Sequence, residues 1–314
     1  MPKPIAALTR LLLLTLLAAD LPPANDPSDT KLRGLKIFPA NDPWNQDISS
    51  AKVDPLSDRI IARLRNKPLH PDFGIVYNGH PNGIPYVVVG GDQPKVPVKF
   101  DDADESDAGP YPIPADAPIE GGRDATEGDR HVIVIDADNL KLYETWNSVE
   151  QNGGQSWTAG SGAIFDLRTN KPRPAGWTSA DAAGLPIFPG LVRYDEVANQ
   201  RAIHHAIRFT VVKSRRAYVA PARHYAAKSN DADLPPMGAR FRLKASVDLS
   251  KFPPQAKVIL QALKTYGMIM ADNGSDMYLS GAPNPAWDDD DLRHLRDIRA
   301  SDFEVIEMGK ITTR

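Results

Sequence analysis

Cysteine is absent from all 314 residues. That absence excludes disulfide scaffolds, zinc–thiolate sites and thiol nucleophiles, and leaves stability to the core, with calcium as the one candidate ion. An excess of one charge is also lacking. The 37 basic and 40 acidic side chains give a net charge of −3, and no basic concentration of the kind nucleic acid requires is visible. Beyond the stretch Leu11–Ala19 there is no long apolar run, and that one is too short to span a membrane. The nucleophile elbow is missing, because Gly160-Ser161-Gly162 lacks its spacing; so are the phosphate-binding P-loop, the dinucleotide fingerprint and the His-Glu-x-x-His zinc helix. These absences argue against common esterases, kinases, dehydrogenases and metalloproteases.

What is present starts with an address. Lys3 and Arg10 flank the apolar run Leu11–Ala19, which a polar, Pro-rich stretch follows. This is the pattern of a secretory signal peptide, residues 1–24, with cleavage expected after Ala19 or Ala24 and export to a secreted or periplasmic location. Residues 25–37 read as a flexible lead-in, and residues 38–314 as a single β-rich domain. An apolar fraction of 41% is enough for a real core, and 29 prolines with 22 glycines point to short elements joined by shaped loops.

The chain alternates short β-type runs with loops. Pro85–Val89, Val96–Phe100, Ser156–Thr158, Ala163–Leu167, Ile203–Val212, Ala217–Val219, Arg240–Leu243 and Phe303–Ile306 read as strands. His131–Asp136 and Leu140–Trp146 read as a hairpin about Asp136-Ala137-Asp138-Asn139, and Met268–Ala271 with Met277–Ser280 as a second about Asp272-Asn273-Gly274-Ser275. Ser57–Leu64 fits a short helix. Pro254–Tyr266 is the strongest helical pattern, with Ile259, Leu260 and Leu263 on one face. Residues 101–129 form an acidic loop long enough to be functional or draped over the fold. The sum predicts a mainly β fold, an antiparallel β-sandwich or jelly roll with one or two packed helices.

Chemically capable residues crowd between Trp157 and Tyr225. Asp166 and Asp181 are the expected carboxylate pair, since glycosidic cleavage needs one protonated and one ionised group. Asp195, Glu196 and Asp272 are further carboxylates in loops or at strand ends. His205 and His224, with Tyr225, are expected proton carriers, on the reasoning that Ile203–Val212 and Ala217–Tyr225 pair antiparallel across a short basic turn and bring their ends together. Ahead of that role, His205 is read as a buried, hydrogen-bonded histidine of the core. Trp177 and Trp157 are expected sugar-stacking faces, and Arg208 an anchor for an acidic substrate. The clusters Asp101–Asp107 and Asp288–Asp291 offer oxygen ligands for calcium, although no cofactor is required by the reading.

The strings RPAGWTSADAAGLPIFPGLVRYDEV, IHHAIRFT, YVAPARHYA and GMIMADNGSDMYLSGAP, with FPANDPWNQDIS and LHPDFG near the start, resemble a family of uncharacterised secreted microbial proteins. The resemblance covers nearly the whole mature chain. It implies export and a setting of extracellular polysaccharide turnover, and it assigns a role to no residue. Two functions are therefore expected: a carbohydrate-active enzyme, glycoside hydrolase or polysaccharide lyase, or a noncatalytic glycan-binding surface or matrix protein. The partner in either case is a polysaccharide or glycan.

Overall fold

The computed structural model describes residue 32, residues 34–169 and residues 171–313. The expected signal peptide lies outside them. The fold is mainly β, with several sheets and a few helices. In chain order the first strands are β1 (His70–Asp72), β2 (Val76–Tyr77), β3 (His80–Pro81), β4 (Tyr86–Val89) and β5 (Val98–Phe100). Then come β6 (Val132–Asp136), β7 (Lys141–Trp146), β8 (Val149–Gln151), β9 (Ser156–Ala159) and β10 (Ser161–Asp166). The last are β11 (Ile207–Val211), β12 (Arg240–Leu243), β13 (Met268–Asn273), β14 (Tyr278–Ser280) and β15 (Phe303–Val305). The α-helices are α1 (Ser57–Arg63), α2 (Pro254–Thr265) and α3 (Asp289–Arg293).

A six-stranded sheet has the order β1-β14-β11-β13-β12-β15, a four-stranded sheet β10-β7-β6-β4 and a three-stranded sheet β5-β9-β8. Pairing is mixed, not purely antiparallel: β1–β14, β11–β13, β4–β6 and β5–β9 run parallel. Parallel neighbours need crossover connections, and the long Pro- and Gly-rich loops supply them. Strand β6 shows how the layers meet. Ile133 and Ile135 face the main core, while Val132 and Val134 face a smaller one built on Phe100, Tyr111 and Trp157. With both faces covered, β6 reads as an unbroken apolar run.

The β6–β7 hairpin matches the sequence reading. Its register sets Asp136 opposite Lys141, and the Asp136 carboxylate accepts from the backbone and side-chain nitrogens of Asn139 at 3.0 and 2.8 Å. Helix α2 also forms as expected and buries Ile259, Leu260 and Leu263. Its orphan N–H groups are met from outside: Asp291 of α3 accepts from Gln255 and Ala256 at 2.9 and 2.8 Å. Asp288 in turn caps α3 by accepting from Asp290 and Asp291. The acidic run considered for calcium thus serves two helix N-termini, where negative charge is favourable.

Two local expectations give way to long-range pairing. Strand β11 starts at Ile207, so His204 and His205 precede it, and residues 217–225 do not pair with it. The Asp272–Ser275 turn does not close a two-stranded hairpin either, because β11 lies between β13 and β14. A turn signal fixes only a local reversal. Here the central strand satisfies both of its edges with partners more than fifty residues away, and tertiary pairing overrides local preference.

Candidate functional site

One face of the six-stranded sheet is polar, and register explains why. Residues paired across a sheet share a face, as do alternate residues along a strand. Arg208 and Thr210 of β11 therefore point the same way. In β14, Thr210 pairs with Tyr278, which puts Tyr278 and Ser280 on that face. In β1, His70 pairs with Tyr278 and Asp72 with Ser280. A β-bulge between Phe209 and Thr210 supplies the last member. Phe209 pairs with Met270 but Thr210 with Asp272, skipping Ala271. Without that extra residue Asp272 would point to the opposite face.

Arg208 is the centre of this face. It is 4% exposed and donates from Nε and Nη2 to both oxygens of Asp181 at 2.8 and 2.9 Å, and from Nη1 to Ser280 Oγ at 2.6 Å. Asp272 Oδ2 lies 3.5 Å from Nη2. Burial disfavours the Arg208 cation, but Asp181 overrides it and raises its affinity for the proton. Asp272 is pushed up to about 7, first by burial and then by the Asp181 charge. Gly190 makes the covering loop fit, since a Cβ there would meet Arg208 Cβ at 2.8 Å and the Trp44 ring at 2.7 Å. Glu144, on β7, is fully buried and accepts from the backbone nitrogens of Ile187 and Phe188. Burial pushes it up to about 7 as well.

The sheet face opens into a cleft at β1. Strands β2 and β3 form a small hairpin whose turn, Asn78-Gly79, holds φ values of 51° and 85°. This is the positive-φ pair that a tight two-residue hairpin requires. It stands against the 120–129 loop, and the cleft between them, about 510 Å³, is lined by Asp72, Tyr77, His80, Glu120, Glu127 and Asp129 among others. That volume lies within the range of small-ligand sites. Tyr77 is 66% exposed.

Behind the cleft stands His131, 1% exposed, which donates from Nδ1 to Glu120 Oε2 at 2.6 Å and bonds through Nε2 to the Ala180 carbonyl at 3.1 Å. Burial works against its charge, but the Glu120 carboxylate holds its value at about 9. It is therefore a cation at neutral pH. Asp72 differs from every other carboxylate on this face. Asp181, Glu120 and Asp272 each engage Arg208 or His131, whereas the carboxylate of Asp72 has no hydrogen bond or ion pair among the described residues. Asp72 is exposed and lines the cleft. Burial and the neighbouring Glu120 charge raise its proton affinity, and Arg208 only partly offsets them.

Of the residues proposed from sequence, the structure brings Asp181 and Arg208 together at the heart of this face. His224 joins the same loop through Nδ1 and the Ala182 carbonyl, 2.7 Å apart, and its ring stacks on Tyr225. The Tyr225 hydroxyl donates to the Thr313 carbonyl. Asp166 is not brought to Asp181. It is engaged by Arg168 at 2.7 and 2.8 Å and by Lys141 at 2.9 Å, which hold its carboxyl well below the usual range. His205 is buried, with Nε2 on Glu196 at 3.1 Å and Nδ1 on the Ala206 carbonyl at 2.8 Å. Trp177 lies under the Arg173 guanidinium, and Trp157 is sealed in the smaller core. No group of three or more His, Asp or Glu side chains is placed to hold a metal ion among the described residues.

Sequence reasoning passed over Asp72, Glu120 and His131 as site residues. The signals that point to them are the acidic 101–129 loop, long enough to be functional, and Asn78-Gly79, the signature of a tight hairpin. Comparison of the chain with family models, curated proteins and solved structures gives no match.

Proposed function

We propose that this protein is an exported glycoside hydrolase that works from the Asp72 cleft. The observation that carries the reading is Asp72 itself: an unpartnered carboxylate of raised proton affinity beside Glu120, a carboxylate matched by a buried histidine cation. Two carboxyl groups whose surroundings differ in this way suit the acid and base roles of glycosidic cleavage. Asp72 holds the proton and delivers it to the leaving oxygen. Glu120, kept charged by His131, acts on the sugar side as base or nucleophile. His131 is a positioning residue, fixed by the Ala180 carbonyl. Tyr77, exposed at the rim, offers an aromatic face on which a sugar ring stacks.

Hydrolysis is favoured over elimination for a specific reason. A lyase needs a cation to neutralise the uronate, and Arg208 already spends its donors on Asp181 and Ser280. The cleft is lined with carboxylates instead. The test is reducing-sugar release from a panel of neutral and charged polysaccharides by the purified protein. Asp72→Asn and Glu120→Gln are each expected to lower turnover by about 10²–10⁴, the usual range for an acid–base group. If wild type binds a glycan and cleaves none, the noncatalytic glycan-binding reading replaces this one. Full activity in Asp72→Asn would remove Asp72 from the mechanism.

A further inference from the structure

The largest cavity described, about 890 Å³, belongs to other elements. It is a groove between α2 and the turn Asp195–Gln200, which is wound as a π-helix. Such turns are rare and recur at functional sites. The groove follows α2 through Pro254, Val258, Gln261, Ala262 and Thr265. Pro254, Val258, Gln261 and Thr265 lie three or four residues apart, so the lining follows one face of a twelve-residue helix about 18 Å long. Its open apolar surface comes from Ala198, Ala202, Pro254 and Val258, with Val197, Ile203 and Phe252 buried beneath them.

The charge of this groove is one-sided. Its lining includes Arg201, His204 and Lys257 and no Asp or Glu, in a chain whose net charge is −3. Of the two acids of the adjoining turn, Glu196 is directed inward onto Arg193 and His205, and Asp195 accepts from Gln200 within the turn. Arg201 is held at the turn's end in the left-handed region, φ 55°, with its N–H donating to the Glu196 carbonyl. The side chains of Arg201 and Lys257 are exposed and have no hydrogen bond or ion pair among the described residues.

We infer that this groove binds an amphipathic anion, an extended aliphatic chain ending in a carboxylate. The chain lies along the groove over Ala198, Ala202, Pro254 and Val258, and Arg201 and Lys257 receive the head group. Desolvating the tail supplies the bulk of the affinity, and the cations select its charge. The site is independent of the Asp72 cleft and stands whether or not the protein is a hydrolase.

Isothermal titration of the full chain with dodecanoate below its micellar concentration tests this. Saturable 1:1 binding is expected, with no binding of acetate, which lacks the tail, and at least about tenfold weaker binding of dodecyltrimethylammonium, which reverses the charge. Lys257→Glu and Arg201→Glu should each weaken dodecanoate about tenfold, and Val258→Asp should abolish binding. The lysine is on a solvated helix face, so its variant keeps the fold and the test stands even if Arg201→Glu does not. Absence of dodecanoate binding, equal binding of the cationic detergent, or an unchanged Kd in Lys257→Glu would each overturn the inference. So would self-association lost in Val258→Asp, which would assign the groove to a second copy of the chain.

Discussion

The Glu120–His131 pair makes a pH-dependent contribution to stability whose sign can be reversed by one substitution. His131 is held at about 9 in the folded chain against a reference of 6.5, a gap equivalent to about 3 kcal/mol. Because the folded value lies above the unfolded one, the contribution is complete below pH 6.5 and is lost as pH rises through 9. Roughly half of it disappears between pH 7.5 and 9. Glu144 and Asp272, both held at about 7, act in the same direction but contribute little above pH 7.5. Glu120→Gln removes the anion and leaves burial, the largest influence on His131, in control. The folded imidazole then prefers its neutral form, and the loss of stability between pH 7.5 and 9 disappears. Urea unfolding of both proteins across this range reads the effect, and the ring resonances of His131 read the group directly. A wild-type stability that is flat from pH 7.5 to 9, a Glu120→Gln protein with an undiminished slope, or a His131 midpoint near 6.5 would refute the reasoning.

Arg208→Ala should cost roughly 3–5 kcal/mol, because it leaves the fully buried Asp181 charge without its partner. Denaturant midpoints measure this, and a loss below about 1 kcal/mol would mean that water reaches Asp181. Leu260→Ala on α2 should cost about 2–5 kcal/mol, the range for leucines truncated in a packed core. An unchanged midpoint would mean that α2 is not held to the sheet through this residue.

Local chemistry was legible in the sequence and long-range pairing was not. Helix α2 is readable because Ile259, Leu260 and Leu263 repeat at helical spacing, and the β6–β7 hairpin because its turn residues sit between two apolar runs. Asp181 and Arg208 stood out as polar groups in a segment otherwise built for a core, and the structure joins them. The expected site gathers residues near in sequence, whereas the structure sets Asp166 and His205 apart from Asp181 and Arg208, each on partners of its own. His205 precedes β11 instead of lying on it, and its buried pair with Glu196 is the core reading that the sequence also offered. The polar face around Arg208 combines β1, β11, β13 and β14, the first and last of which lie more than two hundred residues apart. Its composition also depends on a one-residue bulge at Ala271. Neither the strand order nor the bulge leaves a mark in hydrophobic periodicity, so Asp72 and Asp272 could not be assigned to one face from spacing alone.

Asp72 differs from its neighbours in what its removal costs the fold. Each of Asp181 and Glu120 is held by a cation, and removing either leaves a buried opposite charge unmatched, so substitution there is destabilising whatever the protein does. Asp72 has no such partner. Its surroundings make its charge unfavourable, through burial and through Glu120 and Asp129, with Arg208 giving back only part. A group kept at a cost to the fold is the pattern expected of a site in which stability is exchanged for activity. Asp72→Asn is nearly isosteric and removes the unfavourable charge while leaving both neighbouring pairs intact. Its unfolding midpoint should therefore equal or exceed that of wild type at pH 7, even as glycan turnover collapses. A variant that loses stability together with activity would show that Asp72 holds the sheet face together, and the catalytic role given to it would fall.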